Sequence, residues 1–170
     1  MKRSLFSQTL SLLVIIAIFF TTKGNSQSVE AGDYHSMIRC NSGSVKANGP
    51  NWNGEIGDGT YNSAPSPVQL SGLTSGVIAI SGGAYFSLAL KSDSTVWAWG
   101  DNGYGQLGDG TYTGRVTPVQ VTGLTGIIAI SAGQYFSLAL KNDGTVWAWG
   151  DNGSGQLGDS TTAGKNIPVQ

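Results

Sequence analysis

The fold is decided by residues 135–150, which read YFSLALKNDGTVWAWG, and by residues 85–100, which repeat them as YFSLALKSDSTVWAWG. Large apolar side chains at 136, 138 and 140 alternate with Tyr, Ser and Ala, so this segment predicts a strand that is buried on both faces. The Asn-Asp-Gly triplet at 142–144 is typical of a tight hairpin turn into a second strand. Since no segment of the chain shows a helical period, each stretch predicts two short antiparallel strands.

The repeat extends well beyond this hairpin. Residues 77–120 align without gaps on residues 127–170, and 32 of the 44 pairs are identical. A weaker copy precedes them at an offset of 51. Repeats of about fifty residues with four short strands and no helix are typical of β-propeller blades. The sequence therefore predicts an all-β propeller, with a β-solenoid as the alternative. Its repeats are a degenerate one at 27–76, a complete one at 77–126 and a truncated one at 127–170.

The number of repeats has a structural consequence. A closed propeller ring needs roughly four to eight blades, and a single blade cannot bury both of its faces. The last copy stops at Gln170, which aligns with Gln120. We therefore expect an incomplete ring that belongs to a longer protein and exposes apolar residues on its last blade. Ring closure by oligomerisation is the alternative.

The first 26 residues have the pattern of an export signal. Two basic residues follow Met1, residues 12–20 form an unbroken apolar run, and Gly24 and Ser26 are the small residues before the expected cleavage point. The run is shorter than the roughly 20 residues of a membrane-spanning helix. The sequence predicts a signal peptide at 1–26 and a secreted, periplasmic or cell-surface protein with no membrane span after its removal. An uncleaved anchor is the alternative.

The charge balance argues against nucleic acid as a partner. Charged residues make up 11% of the chain, and the formal net charge is −1. Removal of the leader takes away three of the nine basic residues and leaves six basic against ten acidic side chains. A phosphate backbone is bound by clustered Lys and Arg, so we expect no nucleic-acid partner.

The sequence offers no catalytic or metal-binding set. His35 and Cys40 are single copies, so they supply neither a Cys–His–Asn set nor a metal cluster. The G-x-G-x-x-G patterns at 103–108 and 153–158 are followed by turn-like residues, whereas a dinucleotide site needs a helix there. Asp and Asn in these loops lack EF-hand spacing and predict Asx turns. We expect no enzyme activity, no cofactor and no metal.

Tryptophan pairs recur at the repeat period. Each pair is followed by a glycine, giving Trp97, Trp99 and Gly100 in one repeat and Trp147, Trp149 and Gly150 in the next. Side chains two residues apart in a strand lie on the same face, and a buried Trp covers a large area. Their recurrence favours blade-to-blade packing, with stacking on a base or sugar as the alternative.

One segment of the repeat diverges. YTGRVT at 112–117 and TAGKNI at 162–167 differ at five of six positions, whereas the other 38 aligned positions differ at seven. The first copy has YNSAPS at 61–66. Local divergence predicts loops that the fold does not constrain, and binding residues lie on such loops. Neutral drift is the alternative. The candidate binding residues are Tyr61, Asn62, Tyr112, Thr113, Arg115, Val116, Thr117, Thr162, Lys165 and Asn166.

These motifs carry a family resemblance. The phrase VWAWGDNxxGQLGD with an upstream GxYFSLAL resembles the regulator of chromosome condensation repeat, and the likeness covers residues 32–170. It implies a seven-bladed propeller that acts mainly as an interaction platform. Members include a nuclear exchange factor for a small GTPase, a plant ultraviolet-B receptor and secreted β-lactamase inhibitors. The family commonly has His where this chain has Phe86 and Phe136, and only His35 keeps it.

These observations together predict a function. We expect a secreted interaction module that binds a protein or another macromolecule through its inter-strand loops. A non-catalytic propeller segment of a larger secreted enzyme or cell-surface protein is the alternative. Guanine nucleotide exchange is the least favoured role, because the His positions differ and export removes the chain from the nucleus.

Overall fold

The computed structural model describes residues 27–170, and in that range it consists of strands and loops without a helix. The strands are β1 Ser28–Ala31, β2 Ser36–Arg39, β3 Val45–Gly49, β4 Ala64–Gln69, β5 Val77–Gly82, β6 Phe86–Lys91, β7 Val96–Gly100, β8 Arg115–Gln120, β9 Ile127–Ala132, β10 Phe136–Lys141, β11 Val146–Gly150 and β12 Lys165–Val169. The predicted signal peptide at 1–26 lies outside the described residues. Within them, no helix is long and apolar enough to cross a membrane.

The strands form three antiparallel sheets, each made of four consecutive strands. In the second sheet Phe86 pairs with Gly100 and Leu90 pairs with Val96, so the hairpin forms in the expected register. In the third sheet Phe136 pairs with Gly150 in the same way. The prediction of an all-β fold with four strands per repeat is confirmed.

The three sheets lie side by side as propeller blades. Strand β5 contacts both β1 and β9, so the first strand of each blade lies on the inner side. Backbone hydrogen bonds join the neighbouring inner turns, from Asp33 N to the Gly83 carbonyl at 3.2 Å and from Ala84 N to the Gln134 carbonyl at 3.1 Å. The fourth strand of each sheet pairs with the third alone and forms its outer edge. Three blades arranged in this way make the incomplete ring that the repeat count predicts.

Each interface between blades is a separate apolar core. Phe86 and Leu88 of the second blade pack in one cluster with Ile127 and Trp149 of the third. A matching cluster joins the first and second blades and includes Trp99. Burial of apolar area at these two interfaces is the main stabilising contribution, because the chain has a single cysteine and so no intrachain disulfide.

Trp149 shows how one blade fits against the next. Its indole is fully buried, and its N–H donates to the backbone carbonyl of Gln106 on the preceding blade at 2.8 Å. At Gly108, φ is +65°, and a Cβ there would lie 2.7 Å from the indole nitrogen. Glycine is therefore required for this close approach. Trp99 makes the same contacts with the first blade, through the carbonyl of Glu55.

The other tryptophan of each pair has a different environment. Trp97 and Trp147 are half-buried, and each donates its N–H to a threonine two residues earlier in its own blade. Gly100 and Gly150 end their strands with φ of +104° and +106°. A Cβ at Gly100 would collide with the backbone carbonyl of Tyr85. The glycine is therefore needed where the strand bends into the following loop.

The third blade leaves one apolar face uncovered in the described structure. Val146 is 53% exposed, whereas the equivalent Val96 is 1% exposed. A Cβ at Gly158 would meet nothing within 4 Å, although the equivalent Gly108 holds the indole of Trp149. This exposed apolar face is the one that the repeat count predicts.

The outer strands begin before their prolines. A Pro-Val-Gln triplet suits the start of a strand or an edge strand. Strand β8 begins three residues before its proline, at Arg115, and β12 begins at Lys165. Pro118 therefore lies inside β8, which an edge strand tolerates because one of its sides makes no ladder hydrogen bonds. The second half of each divergent segment is consequently strand, and only 61–63, 112–114 and 162–164 are loops.

Candidate binding face

The two ends of the blades differ in the length of their connections. One end carries the inner turns at 32–35, 83–85 and 133–135 together with the long loops at 50–63, 101–114 and 151–164, and is called the long-loop face. The opposite end carries the short hairpin turns at 40–44, 92–95 and 142–145, and is called the short-turn face. The divergent loops all belong to the long-loop face.

A buried asparagine builds each long loop. In the second blade Asn102 is fully buried, and its Nδ2 donates to the backbone carbonyls of Thr111 and Thr113, both at 3.1 Å. Its Oδ1 accepts from Leu107 N at 2.9 Å. Asn51 and Asn152 make the equivalent bonds in the other blades. Each loop is thus held by the same side chain, whatever residues occupy its tip.

Asx turns begin the loops of the second and third blades. The Asp101 carboxylate accepts from Gly103 N at 3.2 Å, and Asp151 accepts from Gly153 N at 3.0 Å. The other oxygen of Asp101 accepts from the Gln106 side chain at 2.8 Å. The Asp and Asn residues of these segments therefore shape turns, as the sequence predicts. No group of three His, Cys, Asp or Glu residues within 27–170 is placed to hold a metal ion.

A second carboxylate fixes the end of each loop. Asp109 accepts from the Thr111 amide and hydroxyl, and its other oxygen accepts from Arg115 Nε at 2.9 Å and Nη2 at 2.7 Å. Asp159 pairs with Lys165 at 3.4 Å. The hydroxyl of Thr161, with weaker help from other donors, lowers the pKa of Asp159 to about 2. Arg115 and Lys165, two of the candidate binding residues, are therefore engaged in ion pairs with the long loops that precede their strands.

The remaining candidates fall into two groups. Val116 and Asn166 connect blades: the carbonyl of Val116 accepts from Gly59 N of the first blade, and the carbonyl of Asn166 accepts from Gly110 N of the second, both at 2.9 Å. The other candidates are exposed, with Tyr61 at 63% and Tyr112 at 58%. The exposed candidates are Tyr61, Asn62, Tyr112, Thr113, Thr117 and Thr162.

Sequence reasoning missed a set of aromatic residues on the long-loop face. We expected Tyr135 on a buried face of its strand, but β10 begins at Phe136 and Tyr135 lies in the preceding turn, half-exposed. Tyr34 and Tyr85 occupy the equivalent turns of the other blades. Their recurrence at the repeat period was the available signal, but the same recurrence marks buried scaffold residues.

A buried polar contact joins the first two blades. His35 is 3% exposed, and its Nε2 lies 2.7 Å from Ser87 Oγ. Ser87 donates its own proton to the Glu55 carbonyl at 3.1 Å, so His35 Nε2 is the donor to the hydroxyl oxygen. Burial lowers the pKa of His35 to about 4. Since Ser87 is also fully buried, this pair stabilises the interface and has no access to a substrate.

Comparison with known proteins agrees with this architecture. Two sequence profiles described as the Regulator of chromosome condensation (RCC1) repeat match the chain. One matches residues 93–140 and 143–170, and the other matches residues 77–106 and 127–156. Human "Probable E3 ubiquitin-protein ligase HERC6" is 39% identical over 99 residues, which cover 56% of this chain and 10% of the ligase. The Ultraviolet-B receptor UVR8 of Arabidopsis thaliana is 32% identical over 97 residues, which cover 56% of this chain and 22% of the receptor. The chain therefore spans a small part of the length of these relatives.

Solved structures extend the likeness to all three blades. Human WBSCR16 superposes with a TM-score of 0.75 and 26% identity, over 88% of this chain and 38% of that one. Yeast RCC1 (Prp20), solved with Kap60, superposes with a TM-score of 0.74 and 18% identity, over 84% of this chain and 36% of that one, which supports the fold alone. The chain belongs to the family of proteins built from regulator of chromosome condensation repeats.

Proposed function

We propose that this chain is a secreted protein-interaction module whose partner contacts the loop tips at 61–63, 112–114 and 162–164. One observation carries the proposal. The buried asparagine holds the backbone of each loop in the same conformation, while the exposed side chains at the tips differ from blade to blade. A rigid frame with variable exposed tips is the arrangement that recognition surfaces use.

The chemistry of the tips supports a protein partner. Tyr61 and Tyr112 are more than half exposed at equivalent places in neighbouring blades. Tyr is over-represented among the residues that dominate protein–protein binding energy. The third blade has Thr162 at that place, so each blade offers a different contact.

The family gives this proposal a general basis. RCC1-repeat propellers serve as interaction or regulatory modules, and the yeast member was solved in complex with Kap60. A structural report on Prp20p from Saccharomyces cerevisiae describes its binding to Gsp1p and histones. These partners belong to that protein.

An exchange of loop-tip residues between two blades tests this function. Changing Tyr112→Thr and Thr113→Ala gives the second blade the loop tip of the third and leaves the Arg115–Asp109 pair intact. We expect unchanged folding, because the third blade already carries these residues. We also expect weaker partner binding, by about 1 kcal/mol or more if a dominant contact is lost.

A matched control lies on the opposite end of the same blade. Ser92→Asn with Ser94→Gly also gives the second blade residues of the third, but on the short-turn face. The partner is isolated with the wild-type chain from its native environment, and its affinity is measured for both variants. Equal affinity of the two variants and the wild type would show that the loop tips are idle.

A further inference from the structure

An exposed row of aromatic side chains lies on the long-loop face and contains none of the tip residues at 61–63, 112–114 and 162–164. Tyr34 and Tyr85 stack with ring centroids 4.8 Å apart and planes 10° apart, and Trp52 lies 6.1 Å from Tyr34. Tyr104 lies 5.1 Å from Tyr135 in the next blade. Trp52 is 62% exposed, and Tyr34 and Tyr104 are about half exposed. Exposed aromatic side chains in mutual contact mark an interaction surface.

A pocket of about 220 Å³ lies among the inner turns that carry Tyr34, Tyr85 and Tyr135. Gly82, Gly83 and Gly133 contribute to its lining, and Asp33 is the ionisable residue in it. Within residues 27–170, no ion pair joins Asp33 to a Lys or Arg. The pocket therefore offers an exposed carboxylate that no basic side chain of the described structure neutralises.

Tyr34 and Tyr85 stack directly beside the turn that carries Asp33. A hydrogen bond with Tyr34 raises the pKa of Tyr85 to about 12, and Tyr135 and the charge of Asp33 contribute to the increase. The phenol of Tyr85 therefore stays neutral across the physiological range. Asp33 and Tyr34 are neighbours in one inner turn, and the Asp33 amide donates to the carbonyl of Gly83, two residues before Tyr85, so a ligand in the pocket would meet the carboxylate and the aromatic rings together.

Charge on the two ends of the blades indicates the sign of the ligand. The short-turn face pairs its two carboxylates, Asp93 and Asp143, with lysines. Apart from the fully buried Glu55, the long-loop face carries six carboxyl groups and two basic residues where the outer strands begin, namely Asp33, Asp58, Asp101, Asp109, Asp151 and Asp159 with Arg115 and Lys165. The excess of carboxylates on the long-loop face attracts cations and repels anions.

We propose that the Asp33 pocket and the stacked tyrosines beside it form a binding site for an arginine side chain in a basic segment of a partner protein. A guanidinium is planar and always charged, makes paired hydrogen bonds with a carboxylate and stacks on aromatic faces. Asp33 supplies the carboxylate, and Tyr34 and Tyr85 supply the aromatic surface. A lysine offers a point charge without the planar fork, so it fits this combination less well.

This inference goes beyond the proposed function, because the site lies at the inner turns rather than at the variable tips. The two can fail separately. Loss of arginine binding would leave the loop-exchange result unaffected, and idle loop tips would leave arginine recognition standing.

The test uses the whole chain and a fluorescein-labelled peptide with two arginines between glycines and serines. Its companions carry lysine, or citrulline, which has the shape of arginine without the charge. Fluorescence anisotropy should show binding of the arginine peptide, weaker binding of the lysine peptide and at least about tenfold weaker binding of the citrulline peptide. Equal affinity for arginine and citrulline, or no binding of the arginine peptide, would overturn the proposal.

Variants locate the site on the molecule. Asp33→Asn and, independently, Tyr34→Ala should each lower the affinity for the arginine peptide, by about tenfold for the carboxylate. Asp93→Asn on the short-turn face is the matched control and should bind as the wild type does. Circular dichroism confirms folding of each variant. Wild-type affinity in both site variants, or equal losses in Asp33→Asn and Asp93→Asn, would refute this location. Binding of a neutral oligosaccharide in place of the arginine peptide would overturn the proposal and show that the aromatic row binds carbohydrate.

Discussion

Replacing Trp149 by Ala tests the interface between the second and third blades. The indole is 0% exposed, and a buried Trp covers about 150–250 Å², which at about 25 cal/mol per Å² corresponds to roughly 4–6 kcal/mol. Measured large-to-small changes of this kind cost about 3–5 kcal/mol, so we expect a loss of stability in that range. The lost hydrogen bond adds little, because Ser137 Oγ also donates to the Gln106 carbonyl, at 2.8 Å.

Urea unfolding followed by circular dichroism measures the change, with Trp147→Ala as the matched control. Trp147 is only half-buried and donates within its own blade, so its removal should cost less than half as much. Trp149→Phe keeps most of the buried ring and should cost about 1–2 kcal/mol. Equal losses in the two Ala variants would refute this account of the packing. Unchanged stability in Trp149→Ala together with lost partner binding would make the tryptophans a surface site instead.

Three further predictions follow from the leader, the buried histidine and the open face. The exported protein should begin near Gln27, and N-terminal sequencing that finds an intact leader would contradict this. Burial lowers the pKa of His35 from 6.5 to about 4, so the unfolded state binds this proton more readily. The stability that neutral His35 contributes is present above pH 6.5 and is lost as pH falls toward 4. Between pH 6.5 and 4, the urea midpoint of His35→Phe should therefore fall less steeply with falling pH than that of the wild type. Parallel pH profiles of the two proteins would contradict this. The exposed face containing Val146 should cause concentration-dependent association in analytical ultracentrifugation. Leu138→Gln with Val146→Thr should reduce the association, and a wild-type chain that stays monomeric at high concentration would refute the prediction.

The blade architecture was predictable because two copies of the repeat show the same pattern. The alternation at 136–140, the turn at 142–144 and the Trp pairs occur at the same places in two copies, so local pattern and repeat period point to one fold. The buried position of Trp149 follows from the same reasoning. Its partner, the backbone carbonyl of Gln106, could not be read from the sequence, because a carbonyl carries no residue signature.

The candidate site was predictable in part. The divergent segments include the loop tips at 112–114 and 162–164, but they also include the first residues of β8 and β12. The sequence did not separate the two parts, because an outer edge strand restricts its residues almost as little as a loop does. The ion pair between Arg115 and Asp109 joins residues six apart, and nothing in the sequence distinguishes it from an exposed arginine. The aromatic row was missed because contacts such as Tyr34 with Tyr85 form only when neighbouring blades meet.

Site-specific photo-crosslinking tests most directly whether the partner contacts the loop tips of the long-loop face. A benzophenone side chain is placed at Tyr112, and in a separate protein at Ser92, both of which are exposed in the second blade. The two positions lie at opposite ends of that blade, so they report on different faces under the same conditions. We predict that the partner is crosslinked from Tyr112 and not from Ser92. Crosslinking from Ser92 alone, or from neither position while the partner still copurifies, would contradict the account.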